Sequence, residues 1–143
     1  MRLSAVVLVA ALVIPLSPAL AQDPSAAAAP RPDSLSLARR YVEWLYAGQV
    51  DSLWAHSSER LRADLESPDW WRQRADQLAI RAGSETAVVE ERFRMRNGRP
   101  QYWRTARFSD FGEPMLVRFV INGEGLIDGF GLGPLSQAPP TDN

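Results

Sequence analysis

Residues Pro114–Gly133 read PMLVRFVINGEGLIDGFGLG, two apolar runs joined by Asn122-Gly123-Glu124-Gly125. Asn-Gly tolerates the positive backbone angles of a tight hairpin turn, so the stretch predicts strand, turn and strand. Alternation along it assigns faces. Met115, Val117, Phe119 and Ile121 form one side, and Leu116, Arg118 and Val120 the other. On the closing strand Leu126, Phe130 and Leu132 are the side chains large enough to fill a core. Asp128 shares their side, because Ile127, Gly129 and Gly131 take the other. That carries a carboxylate inward unless a β-bulge reverses the parity.

Working back from the hairpin, Val89, Phe93 and Met95 alternate with Val88, Glu90, Arg92, Arg94 and Arg96, which predicts a first strand. Asn97-Gly98-Arg99-Pro100 turns the chain into Gln101–Ser109, and Asp110-Phe111-Gly112-Glu113 turns it into the hairpin. On the second strand Tyr102, Ala106 and Phe108 form the apolar side, with Arg104 among them. A lone buried charge is expensive, so Arg104 and Asp128 are expected either to pair or to lie at a wet rim. The opposite sheet face carries Arg92, Arg94, Arg96, Arg107 and Arg118, with Trp103 and Leu116 between them. Arg beside an aromatic suits phosphate, sulfate or acidic-sugar recognition, or a protein interface such as a homodimer through the sheet. A solvated face, partly neutralised by Glu90 and Glu113, is the plain alternative.

Before Gly83 the period is helical. Asp33 or Ser34 can cap a helix in which Leu37, Tyr41, Trp44 and Leu45 recur, and Gly48 stops it. Asp51 opens a short helix with Leu53 and Trp54, and a further piece carries Leu61 and Leu65. Ser67-Pro68-Asp69 starts a fourth helix, with Trp71, Ala75, Leu78 and Ala82 as one stripe. Adjacent Trp70 and Trp71 cannot both point inward. Helices first and an antiparallel meander of four strands afterwards make an α+β fold, with the helices packed in the concave face of a curved sheet.

The 143 residues suit one domain over 35–133. Met1-Arg2, the apolar run Leu3–Leu16 and Ala19-Leu20-Ala21 form a secretory signal pattern over 1–21, cut after Ala21. The run is shorter than the ~18–20 apolar residues that span a bilayer, so no membrane span is expected after cleavage. Residues 22–34 read as a disordered Ala- and Pro-rich linker and 134–143 as a flexible tail. The expected location is periplasmic or extracellular.

Composition excludes several chemistries. With no cysteine there is no disulfide, thiolate metal site or cysteine nucleophile. His56 is the one histidine, so no His-based metal centre is expected, and no cofactor is called for. A surface or capping role suits His56 better than general-base work, since its chain-local partners are only Asp51 and Glu59. Gly-X-Ser-X-Gly and phosphate-binding glycine loops are absent. A net charge of −1 gives no reason to expect a nucleic acid. All sixteen basic residues are Arg, which binds carboxylate or phosphate with a two-pronged fork.

In order, these elements resemble the nuclear transport factor 2-like superfamily, and within it a group of uncharacterised secreted bacterial domains. The resemblance is carried by Gly48-Gln49-Val50-Asp51-Ser52-Leu53 after the first helix, by a helix ending at Gly83, and by Gly125, Ile127 and Gly129 in the last hairpin. It implies a cone-shaped α+β roll. Some relatives stand in front of hydrolase domains, and the superfamily's isomerases and dehydratases place an acid or His with a Tyr deep in the cone. Fold alone does not assign such a function. The expectation is therefore a non-catalytic domain that binds a small ligand or an envelope protein, with Tyr41, Tyr102, Arg104 and Asp128 as ligand contacts. The alternatives are an isomerase or dehydratase using Asp128 as its acid, and an accessory domain of a hydrolase.

Overall fold

Among the described residues, 33–142 of a computed structural model, helices α1 (Ser34–Tyr46), α2 (Val50–Ala55), α3 (Glu59–Leu65) and α4 (Asp69–Ala82) precede the strands. Strands β1 (Glu85–Arg96), β2 (Arg99–Phe108), β3 (Met115–Ile121) and β4 (Ile127–Pro134) pair in sequence order as one antiparallel sheet. The helices pack against its concave face, as the α+β expectation requires. The expected signal segment and nearly all of the linker lie outside the described residues.

Helical spacing decides what each helix buries. On α1 it is Ala38, Tyr41, Val42 and Leu45; on α4 it is Trp71, Ala75, Leu78 and Ala82. Trp71, Tyr41, Tyr102, Phe119, Leu45 and Leu53 are fully buried. Each such side chain contributes roughly 1.5–3 kcal/mol relative to exposure. Trp71 takes the core and Trp70 is left half-buried beside it, with rings 5.1 Å apart and nearly perpendicular.

Local side chains fasten some helix starts and not others. Ser58 Oγ accepts the Leu61 N–H and caps α3, while Ser67 Oγ accepts the Asp69 N–H ahead of α4. At α1 the expected side-chain cap is not made. Asp33 has helix-like angles, and its carbonyl takes the Leu37 N–H at 3.0 Å.

The closing hairpin forms, but with different turn chemistry. Neither Asn122 nor Gly123 has a positive φ; Gly125 does, at 84°. Asn122 instead folds the loop on itself, its Oδ1 accepting the N–H groups of Glu124 and Leu126. The tight turn with two positive φ values belongs to Asn97 (53°) and Gly98 (67°), between β1 and β2. At the start of β4 the register shifts, Val120 pairing with Gly129 and Ile121 with Ile127. This bulge overturns the expected parity: Ile127 enters the core and Asp128 turns toward α3. A second bulge between Val88 and Glu90 leaves Val89 more than half exposed, and Met95 near the strand's end is exposed as well.

The segment after β4 makes hydrogen bonds to the sheet at both ends. Leu135 donates to the Pro114 carbonyl and Leu135–Gln137 forms a 3-10 turn. Further on, Asp142 accepts the Asn97 and Gly98 N–H groups, and its own N–H reaches the Met95 carbonyl.

Candidate functional site

The concave face carries a polar cluster at Arg104; of the two expected arrangements, a pair with Asp128 or a wet rim, the pair is not made. Arg104 grips Glu85 with two prongs, at 2.6 and 2.9 Å, and reaches Glu91 at 3.0 Å. Tyr46 donates to Glu85 at 2.8 Å, Tyr102 donates to Glu91 at 2.5 Å, and Arg39 closes on Glu91 at 2.6 Å. Burial alone would raise both glutamates, but the donors outweigh it and hold Glu85 and Glu91 below the usual carboxylate range. Burial and a bond to an ionised Glu push the Tyr46 and Tyr102 phenols well above their ordinary value. Arg104 is raised by the bonds to Glu85 that its charged form makes. Two Arg and two Glu balance, and every partner is taken. The cluster is a clamp joining α1, β1 and β2.

Asp128 belongs to a second, separate network. Its Oδ1 accepts from Ser58 Oγ at 2.7 Å, and Arg60 and Arg99 lie 3.1 and 3.0 Å from its Oδ2. Arg60 also bonds the Asp128 carbonyl oxygen. Burial works to raise this carboxyl, yet the donors prevail and lower it, opposite to what a general acid needs. Next to it, the His56–Ser58 segment runs alongside β4: Ile127 donates to the His56 carbonyl and Ser58 to the Ile127 carbonyl, both at 2.8 Å. His56 itself lies at the end of α2, its Nδ1 2.9 Å from the Ser52 carbonyl and its ring against Trp44. That is a capping role.

Tyr41 stands apart again. Its hydroxyl donates to the Gly125 carbonyl at 2.5 Å, and burial pushes the phenol up to about 12. Tyr41, Tyr102, Arg104 and Asp128 thus serve three different structural networks and do not converge on one ligand site.

The convex face does bring its residues together. Arg94 and Arg118 flank Trp103, their guanidinium carbons 5.4 and 5.6 Å from its ring centre. Gly131 makes the room, since a Cβ there would lie 2.4 Å from the Arg118 guanidinium. Burial lowers Arg118 from its usual value, and Arg96 nearby adds to this. Arg92 and Arg94 share Glu90, at 3.1 and 3.0 Å. Trp103 is only 6% exposed, and its Nε1–H has no partner among the described residues. Arg107 is exposed and outside this stack.

A groove that the strand and helix patterns did not single out lies between α4 and β4. It has a volume of about 480 Å³ and a floor of Leu78, Ala82, Met115, Phe130 and Leu132. Trp70, Arg74, Gln77 and Arg81 form one wall. These four recur at steps of four, three and four residues, beside the buried stripe of α4, so the sequence did carry their signal. Arg74 lies 4.8 Å over the Trp70 ring and donates to Gln77. Among the described residues neither Arg74 nor Arg81 has an acidic partner within salt-bridge distance. Glu85, Glu91, Arg39 and Tyr46 were also missed. Glu91 was legible, because it falls between Val89 and Phe93 on the inward alternation.

Among the described residues no group of three or more His, Asp or Glu side chains could hold a metal ion. No described helix is long and apolar enough to cross a membrane. No protein-family model, curated protein or solved structure matches the chain.

Proposed function

We propose that this chain is a non-catalytic binding domain of the cell envelope, exported by residues 1–21 and built on the nuclear transport factor 2-like plan. The order of helices and meander strands supports the plan, and the signal pattern supports the export. Its ligand site is the α4–β4 groove, and its ligand an amphipathic anion: an apolar body ending in carboxylate, sulfate or phosphate. One observation carries this reading. An apolar floor lies beside Arg74 and Arg81, two guanidinium groups with no acidic partner among the described residues. The volume lies in the range of small-molecule sites.

Calorimetric titration with decanoate and decyl sulfate tests it, with decanol as the neutral control. Both anions should bind, and Arg81→Glu should weaken them about 10-fold. Silence with both anions, or equal binding of decanol, overturns the reading.

A second reading has its own observation: the stack of Arg94 and Arg118 on Trp103 favours the convex face as a protein contact, including a homodimer. Sedimentation and retention on anionic glycans test it with Arg94→Glu and Arg107→Glu. A strict monomer that retains nothing and ignores both substitutions overturns it. For the enzyme alternative, the lowered Asp128 carboxyl, which does not line the groove, counts against its use as the acid.

A further inference from the structure

The two edges of the sheet are defended very differently. Free strand edges invite pairing, and proteins blunt them with charge and bulges. Edge strand β1 has both: register shifts on either side of Ala87–Val88, and Glu85, Glu90, Glu91, Arg92, Arg94 and Arg96 along its length. Edge strand β4 reads IDGFGLGP, and past Asp128 it holds no charge and no further bulge.

This edge already accepts a neighbour. Ser57 forms a parallel bridge with Ile127 before the chain turns away into α3. Beyond that point the pairing pattern can be followed from the other end. Leu135 donates to the Pro114 carbonyl, so the pairs Leu116–Gly133 and Arg118–Gly131 are the hydrogen-bonded ones. Phe130 and Leu132 then direct their N–H and C=O groups outward, and no partner for them stands among the described residues. Pro134, which has no N–H to donate, falls on the same outward set, where edge strands tolerate proline.

We infer that the partner is an extended acidic peptide segment of another protein, which adds as a further strand along Phe130–Leu132 and drops alternate side chains into the α4–β4 groove. The inference rests on the groove being the ligand site, as proposed above. Strand addition supplies main-chain hydrogen bonds, and the groove supplies selectivity for every second side chain. A segment of four to five residues, about 15 Å long, covers the free stretch. Arg74 and Arg81 select its charge: apolar side chains suit the floor, and carboxylates suit the α4 wall.

The probe is a capped hexapeptide whose alternate, groove-facing residues are Glu, Val and Glu, with Thr between them, added to the full mature chain and followed by calorimetry and amide hydrogen exchange. Binding should slow exchange at the Phe130 and Leu132 amides at least 10-fold, and Arg81→Glu should weaken it about 10-fold. A peptide N-methylated at its central amides cannot pair and should lose binding. If the methylated peptide binds equally, or if decanoate binds while the hexapeptide does not, strand addition is wrong and the groove reading stands. If none of the three binds, both fail. Protection of those amides in the free chain also overturns the inference. If it grows with concentration the occupant is a second copy, and if it does not, the occupant is the chain's own upstream segment.

Discussion

Gly83 has φ 75° and ψ −135°, angles that are essentially closed to any residue with a side chain. A Cβ there would also stand 2.2 Å from Ser109 Oγ and 2.5 Å from an Asp110 carboxylate oxygen. Gly83→Ala should therefore lose about 2–4 kcal/mol in urea unfolding. Arg104 matters for the opposite reason, because its removal leaves Glu85 with no cationic partner in a mostly covered site and takes one of two from Glu91. Arg104→Met should lose about 2–4 kcal/mol, below the cost for a fully buried pair because some solvent reaches the cluster. Unfolding of Arg104→Met that matched the parent would show the clamp to be idle. Simple alternation placed Arg104, Tyr102, Val117 and Phe119 on the inner face correctly, since β2 and β3 pair with each other without a bulge. It misplaced Asp128 and Val89, each at a bulge, where one extra residue reverses the faces.

At the scale of elements, α3 and β4 depend on each other through Asp128. Ser58 caps α3 with the same hydroxyl that donates to the carboxylate. Asp128→Asn should cost about 1 kcal/mol, because Arg60 and Arg99 are largely in solvent, and should speed exchange of the Ser58 amide. An unchanged Ser58 amide would mean that the backbone bridge alone seats the helix. The existence of the helices, their stops at Gly48 and Gly83 and the strand order were all legible in the local pattern of residues. The groove was not, because no local pattern says that the Trp70–Arg81 flank of α4 will face the edge of β4, some fifty residues later. That pairing is tertiary.

For the whole molecule, acid is the informative variable. Glu85, Glu91 and Asp128 all have folded pKa values below their unfolded ones. Each contributes stability that is fully present above the unfolded values, near 4.3 for Glu and 3.9 for Asp, and is lost as pH falls through the folded values. Urea midpoints should hold from pH 7 to about 5 and fall steeply below about 4. Glu85→Gln should be less stable at neutral pH and show a shallower fall. Parallel curves for the two proteins would place the acid sensitivity elsewhere.

The ties from late residues to early ones also set an order of events. Tyr41 of α1 waits for the Gly125 carbonyl, Ser58 and Arg60 wait for Asp128, and the Asn97–Gly98 turn waits for Asp142. During synthesis the helices emerge ahead of these partners, which lie at residues 125–142. These particular ties cannot form until residues 125–142 have emerged. For a protein that is threaded unfolded through an export channel, as proposed above, that delay is protective: these fastenings reach the far side last.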